Sequence, residues 1–237
     1  MKKFRVLNWN LGLAFFYKYW KFFGLKLNGQ KVYHEYFQKQ YVDFVVSTIL
    51  EIKPDLCILE EFYKNEDIGL LTSNLKEIYP HFTSIPAWYH KHSILVLSKE
   101  TIHKEQLNNT LFFRLKTNGL WFIPVHFNSF HSNNRLRQVN SLLEEVKTEP
   151  VDFVVGDTNF YNFTKSNFSL FFGDKMAYKK ILSDFIDATK TVGHTSRLYM
   201  NFDKIFIKKG INFENPQCVY KIKKGMDHYP VYVDLVL

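Results

Sequence analysis

Several short apolar segments of this chain stop at polar residues, and this pattern constrains the fold more than any other feature. RVLNW, PDLCIL, WFIPV and VDFVV are each followed by such residues, and KIFI and YPVYVDLVL are each preceded by them. The polar residues at these boundaries are Asn10, Glu60, Glu61, His126, Asp157, Asn159, Asp203, Asp227 and His228. Neighbouring strands bring their terminal side chains to one edge of a sheet. The pattern therefore predicts a cleft that holds a hard divalent cation and activates a water.

One local plan occurs twice along the chain. In each unit a strand leads to a helix, a proline ends the helix, and a second strand ends in an acid. The first unit comprises strand 3–9, helix 34–52, Pro54 and strand 55–59. The second unit comprises strand 120–127, helix 133–148, Pro150 and strand 151–155. Two similar halves predict two similar sheets.

Strands outnumber helices in the rest of the chain. The remaining apolar segments that indicate strands are 93–98, 110–115, 202–207 and 229–237. Together with the two repeated units, they predict an α/β fold with two facing sheets and helices outside, which is a four-layer α/β sandwich. The cleft would lie between the sheets, at the strand ends.

Composition limits the class of protein. The chain has 237 residues, of which 46% are hydrophobic and 18% aromatic, and no linker or low-complexity tract divides it, so we expect one folded domain over 1–237. Cys57 and Cys218 are too few for a disulfide framework. No signal-like or membrane-spanning apolar segment is present. We therefore expect a cytoplasmic monomer without an obligate protein partner.

The motifs at the strand ends resemble those of the endonuclease/exonuclease/phosphatase superfamily, whose fold is that of DNase I. The segments that carry the resemblance occur in the expected order: VLNWNLG, PDLCILEEF, VHFNS with RLRQ, VVGDTNF, NFDKIFI and MDHYPV. They span essentially the whole chain. The resemblance implies a metal-dependent phosphoesterase.

The resemblance also implies a set of metal ligands. Glu61 is similar to the principal ligand of the family, and Asn10 would hold metal or phosphate beside it. Asp227 would either hold a second metal or orient the adjacent histidine. The implied cofactor is Mg²⁺, with Mn²⁺ as an alternative, since hard cations prefer oxygen ligands.

Catalytic roles follow from the same resemblance. Asp157 would orient or activate the attacking water, and Asn159 would stabilise charge on the phosphoryl oxygens. His228 would act as a general base or as a clamp on the phosphate, with Asp203 buttressing its imidazole. His126 would contact the phosphate.

Three positions depart from the pattern or leave their role open. Met226 stands where many members have Ser or Thr, and Glu60 stands where Gln is common, which adds negative charge near the metal. Arg135 is a candidate substrate contact, although it and Gln138, one helical turn apart, could instead brace the helix against the cleft.

The motifs resemble two branches of the family that act on different substrates. The combination of GDTN with FDKIF, and of HxxS with the RxxQ that follows it, resembles the 5′-tyrosyl-DNA phosphodiesterases. The segments LEEFYKNEDIGLL and LVLSKETI instead resemble neutral sphingomyelinases. The formal net charge of +8 suits nucleic acid or an anionic membrane surface. We favour nucleic acid, with a phospholipid surface as the alternative.

An aromatic segment, 11–27, is the most unusual feature outside the motifs. Its rings alternate with lysines, and Lys18, Trp20 and Lys21 are candidate substrate contacts. The segment could lie in a lipid interface, stack on unpaired bases, or simply pack its rings against the fold.

Overall fold

The structure is a computed structural model that describes residues 1–12, 30–62, 65–87, 93–108, 112–160, 172–222 and 226–237. Side chains are described in the same ranges except at 30–39, 65–67 and 172. Most of the aromatic segment lies outside the described residues, and so do its candidate contacts Lys18, Trp20 and Lys21.

Twelve strands and four helices occur in this described part of the chain. The strands are β1 Lys3–Asn10, β2 Leu56–Phe62, β3 His81–Pro86, β4 Ser93–Ser98, β5 His103–Gln106, β6 Phe113–Thr117, β7 Leu120–His126, β8 Phe153–Asp157, β9 Phe185–Asp187, β10 Asp203–Lys208, β11 Phe213–Cys218 and β12 Val231–Val236. The helices are α1 Gln30–Ile52, α2 Asn65–Leu75, α3 Ser132–Thr148 and α4 Phe172–Ile181. None of these four helices is long and apolar enough to cross a membrane.

The strands form two six-stranded sheets of matching design. Their spatial orders are β11-β12-β1-β2-β4-β3 and β5-β6-β7-β8-β10-β9. In the centre of each sheet one parallel pair, β1 with β2 and β7 with β8, is connected through a helix, and the other described pairings are antiparallel. The two repeated units predicted from the sequence are thus the centres of the two sheets.

Alternation along the strands separates the layers. On β1, Phe4 and Val6 face the opposite sheet in one apolar cluster, whereas Leu7 and Trp9 pack under α1 and α2 in a second. A third cluster covers the outer face of the other sheet beneath α3 and α4. Because successive strand residues point to opposite faces, these three clusters define helix, sheet, sheet and helix layers. The predicted four-layer α/β sandwich is confirmed.

Some elements differ from the sequence prediction. The strand predicted at 110–115 is observed at Phe113–Thr117, with 109–111 outside the described residues. Elements that the sequence analysis did not predict are α2, α4, β3, β5, β9 and β11. Every residue of β5 is exposed, so no buried face leaves an apolar pattern in its sequence.

Candidate active site

The inner rows of the central strands end in polar residues at one edge of both sheets. On β2, Leu56 and Ile58 lie in the core between the sheets, and Glu60 is the next residue of that row. On β8, Phe153 and Val155 are followed in the same way by Asp157. Because both sheets lose their apolar side chains at the same level, the polar residues face each other across the gap.

Glu60 connects the two sheets. Its side chain is fully buried, its Oε1 accepts the backbone N–H of Asp157 at 2.8 Å, and its Oε2 lies 2.7 Å from Nδ1 of His126. Burial raises the pKa of Glu60 to about 7 against the opposing effect of His126. Burial alone would lower the pKa of His126, but the hydrogen bond and charge of Glu60 outweigh it and raise that pKa to about 9.

A bulge in β2 brings Glu61 to the same site. Adjacent strand residues normally point to opposite faces, but the register with β4 shifts between Leu59 and Phe62, and Glu61 has a φ of 69°. Its Oε1 therefore lies 3.2 Å from Nδ2 of Asn10 and 3.8 Å from Nε2 of His126. The Glu61 side chain keeps 18% of its surface exposed, so it remains accessible from the cleft.

Asn10 joins carboxylates from both sheets. Its Nδ2 donates to Asp157 Oδ2 at 2.8 Å as well as to Glu61, while its Oδ1 accepts the backbone N–H of Gly12 at 2.9 Å. Asp157 Oδ1 in turn accepts the backbone N–H of Asn159 at 2.8 Å. One amide nitrogen thus holds the Glu61 and Asp157 carboxylates next to each other.

His228 and Asp203 form a buried pair beside these groups. Asp203 Oδ2 lies 2.8 Å from Nδ1 of His228, and Asp203 Oδ1 accepts Nδ2 of Asn8 at 3.3 Å. The hydroxyl of Thr195 accepts the backbone N–H of Asp203, which fixes the start of β10. Burial would lower the pKa of His228, but the charges of Asp203 and its neighbours raise it.

Asp227 has a buried oxygen without a partner. No described group hydrogen-bonds to its Oδ1. Burial raises the pKa of Asp227 to about 6, and the nearby Glu61 and Asp157 contribute in the same direction. Gly12, with a φ of +63°, leaves the space that this carboxylate occupies, since a Cβ on residue 12 would overlap Oδ1.

The end of β8 approaches β7 closely, and the loop after β8 continues from there. A Cβ on Gly156 would overlap the carbonyl oxygen of Val125, so only glycine fits there. Asn159 follows with a φ of 50°, and its Nδ2 donates to the carbonyl of Phe127 at 3.1 Å. The amide of Asn159 is therefore anchored to the first residue after β7, at the edge of the site.

The donor set fits a hard divalent cation. Among the described residues, no three His, Cys, Asp or Glu side chains form a ready-made cage. Mg²⁺ needs fewer, because it usually binds one or two carboxylates and keeps several waters. The accessible Glu61 carboxylate, the unpartnered Asp227 Oδ1 and the mutual repulsion of the buried carboxylates all suit such an ion.

The predicted site residues therefore separate into two groups. Those that the structure brings together at this edge are Asn10, Glu61, His126, Asp157, Asn159, Asp203, Asp227 and His228. Arg135 is different, because its side chain is only 1% exposed and forms a two-point ion pair with Asp174 at 2.6 and 2.8 Å. This geometry is that of the bracing alternative, and the substrate-contact role of Arg135 stays a prediction.

Sequence reasoning missed several residues that shape the site. Glu60 was placed among the polar strand ends but was given no role in the site, and Asn8, Gly12 and Thr195 were not singled out at all. Asn8 lies two residues before Asn10 on the same strand face, so alternation could have found it. Met226 is buried in the apolar cluster beneath α1, which explains the absence of a polar residue there.

Comparison with known proteins identifies the fold. No protein-family model matches the chain, and no curated protein matches its sequence. An AP endonuclease from Archaeoglobus fulgidus superposes with a TM-score of 0.73 at 14% identity, over 99% of this chain and 100% of that one. A D. rerio TDP2 humanized by 14 mutations gives a TM-score of 0.64 at 15% identity, over 99% of both chains. Sphingomyelinase C from Streptomyces griseocarneus gives 0.63 at 16% identity, again over 99% of both. The chain therefore has the endonuclease/exonuclease/phosphatase fold that its motifs predict.

Proposed function

We propose that this chain is a Mg²⁺-dependent phosphodiesterase that hydrolyses a phosphate ester of nucleic acid by attack of water. The observation that carries the proposal is the bridge made by Asn10, whose amide holds Glu61 of one sheet and Asp157 of the other. Buried carboxylates are costly to bring together unless a cation or proton uses them. Their convergence at the strand ends supports a metal-assisted hydrolase.

Glu61 and Asp227 are the residues that would hold the cation. Glu61 offers an accessible carboxylate, and Asp227 offers a buried oxygen that no described group satisfies. A bound divalent cation stabilises charge on phosphoryl oxygens and lowers the pKa of a bound water. Mn²⁺ would fit the same oxygen ligands.

Asp157 and His228 would carry out the proton transfer and charge stabilisation. Asp203 holds Nδ1 of His228, so that Nε2 is the nitrogen available to the phosphate or its leaving group. Asp157 is fixed by the Asn10 amide and by the N–H of Asn159, so its carboxylate has a defined position for orienting water. The imidazole of His126, held by Glu60, would contact a phosphoryl oxygen.

Nucleic acid is the favoured substrate because the GDTN and FDKIF motifs of the catalytic half resemble 5′-tyrosyl-DNA phosphodiesterases. The fold shared with TDP2 and with an AP endonuclease, and the net charge of +8, support the same choice. The fold shared with sphingomyelinase C supports a phospholipid as the alternative substrate. Two free cysteines support a cytoplasmic location.

The test offers purified protein a 5′-phosphotyrosyl oligonucleotide and sphingomyelin vesicles in parallel, with Mg²⁺ or with EDTA. We expect cleavage of the oligonucleotide with Mg²⁺ but not with EDTA, and no headgroup release from the vesicles. Glu61→Ala should abolish oligonucleotide cleavage. The matched control Glu77→Ala, at an exposed glutamate outside the site, should cleave like the wild type. Headgroup release alone would select the phospholipid alternative, and cleavage of neither substrate, nor of bis(p-nitrophenyl) phosphate, would overturn the proposal.

A further inference from the structure

Two loops flank Asp157 and expose large apolar side chains beside the site. Sheet order places β8 between β7 and β10, so loop 127–131 after β7 and loop 188–202 before β10 lie on either side of Asp157. Phe130 of the first loop is 75% exposed, and Leu198 and Tyr199 of the second are 66% and 81% exposed. We call these two loops the rim.

The first rim loop is held rigidly by buried polar groups. Asn128 Oδ1 accepts the backbone N–H groups of Phe130 and His131 at 2.9 and 2.8 Å. The side-chain oxygen of Gln138 accepts the backbone N–H of Asn128, and Arg135 donates to the backbone carbonyl of Asn128. Phe130 therefore projects from a fixed backbone, although its ring contributes little to the core.

The second rim loop is tied to the site itself. The carbonyl of Met200 accepts the N–H groups of Thr195 and Ser196, and the N–H of Arg197 donates to the carbonyl of Asp227 at 2.7 Å. The ring of Tyr199 lies 5.0 Å from that of His194, so one neighbour steadies it while most of its surface stays open. The loop thus presents a positioned ring on a backbone that is hydrogen-bonded to Asp227.

The charge of the rim is opposite to that of the site. Neither loop contains Asp or Glu, and the second carries the exposed cations Lys190 and Arg197. Rings interleaved with cations are the arrangement that binds single-stranded nucleic acid, with bases on the rings and phosphates on the cations. A membrane anchor would need a continuous apolar face, whereas the apolar run Leu198, Tyr199 and Met200 is only three residues long and is bounded by Arg197 and Asn201.

We propose that the rim docks an unpaired end of a nucleic-acid strand, with bases stacked on Phe130 and Tyr199 and a backbone phosphate on Arg197. This inference rests on the proposed function and names the surface that would select its substrate. Leu198 would pack against the edge of the base that stacks on Tyr199. The docked strand would then lead its terminal phosphate ester toward Asp157.

The experiment measures binding of a fluorescein-labelled single-stranded oligonucleotide by anisotropy in EDTA, where no hydrolysis is expected. Phe130→Ala and the pair Leu198→Ala with Tyr199→Asn should each weaken binding by about tenfold. Asn is used because Tyr199 has a φ of 58°, which Asn tolerates. Phe82→Ala is the control, since Phe82 is also exposed but lies on β3, an edge strand of the other sheet.

A second readout separates the phosphate contact from stacking. Arg197→Gln should reduce the slope of log Kd against log salt concentration by about 1, whereas the ring variants should leave this slope unchanged. Thermal unfolding verifies that each variant is folded. Phe130 and Tyr199 lie in different loops, so Phe130→Ala still tests the rim if the substitutions at Leu198 and Tyr199 disturb the second loop.

The outcomes distinguish the rim from the active site. If the wild-type protein cleaves the oligonucleotide and all rim variants bind it as tightly as the wild type does, the docking role of the rim is overturned. The proposed function would not be affected by that result. Binding to phosphatidylserine vesicles is measured with the same variants. If the rim variants lose binding to these vesicles but bind the oligonucleotide like the wild type, the ligand of the rim is a lipid surface and not nucleic acid. Failure of the wild-type protein to cleave any phosphodiester would overturn both.

Discussion

The carboxylate of Asp227 occupies the space in which a side chain on residue 12 would lie. Gly12 adopts a φ of +63°, and a Cβ there would overlap Asp227 Oδ1, the buried oxygen that has no described partner. The backbone N–H of Gly12 also holds the amide oxygen of Asn10. One glycine therefore positions two of the candidate cation-binding residues.

Gly12→Ala should displace Asp227 and weaken cation binding. We expect a several-fold higher Mg²⁺ concentration for half-maximal activity, and weaker Mn²⁺ binding by electron paramagnetic resonance, together with a loss of stability. Gly119→Ala is the matched control, because Gly119 also has a positive φ, +81°, but a Cβ there meets nothing within 4 Å. Both variants share the backbone strain of about 1–2 kcal/mol. Equal Mn²⁺ affinity in the two variants would contradict a positioning role for Gly12.

Glu60→Gln should damage the connection between the sheets. The two oxygens of Glu60 face two groups, the N–H of Asp157 and Nδ1 of His126, and a carboxamide offers only one acceptor. If His126 donates from Nδ1, one buried donor is left unpaired, at a cost of about 1–3 kcal/mol. Urea unfolding measures this loss.

A double-mutant cycle checks that the loss at Glu60 passes through His126. We expect Glu60→Gln and His126→Ala to be non-additive by about 0.5–3 kcal/mol, as for residues in direct contact. Additive effects would mean that the two side chains act independently, contrary to their 2.7 Å separation.

The sequence predicts most of the fold because the inner rows of the central strands are uninterrupted. Leu56 and Ile58 lead to Glu60, and Phe153 and Val155 lead to Asp157, so alternation alone finds both the core and its polar end. β5 could not be found in this way, because all of its residues are exposed. The domain assignment over 1–237 stays a prediction.

The finer geometry of the site depends on backbone conformations that a residue pattern does not record. Glu60 and Glu61 would point to opposite faces of a regular strand, and only the bulge with a φ of 69° at Glu61 brings both to the cleft. The direction of the Arg135 side chain is likewise set by Asp174, which lies 39 residues away on α4. Such distant pairings carry no periodic signal.

The buried pair of Lys204 and Asp187 predicts an asymmetric loss of stability. Both side chains are 1% exposed, with Nζ and Oδ2 at 2.9 Å, and Asp187 also accepts hydrogen bonds from Tyr178 and Thr189. Asp187→Ala leaves the buried Lys204 ammonium without its ionic partner and should lower the free energy of unfolding by about 3–5 kcal/mol. Lys204→Met leaves the carboxylate with its hydroxyl and amide donors, so it should cost less. Guanidinium unfolding ranks the two, and the reverse order would contradict this account.

Asp203→Asn should lower kcat with little change in KM. The aspartate accepts from Nδ1 of His228 and from the Asn8 amide, so an asparagine there must turn its NH₂ toward one of two donors. His228 would lose the partner that orients it, and we expect kcat on a phosphodiester to fall on the order of 10²–10⁴-fold. Stopped assays over a range of substrate concentrations separate kcat from KM.

The control for this prediction is Asn8→Ala, which removes the weaker partner of Asp203 at 3.3 Å and keeps the bond to His228 at 2.8 Å. Its kcat should fall far less. Adding His228→Ala to Asp203→Asn should reduce kcat little further, because residues that act as one unit are not additive. If instead the two losses multiply, Asp203 and His228 contribute separately, and the aspartate has a task of its own at the phosphate.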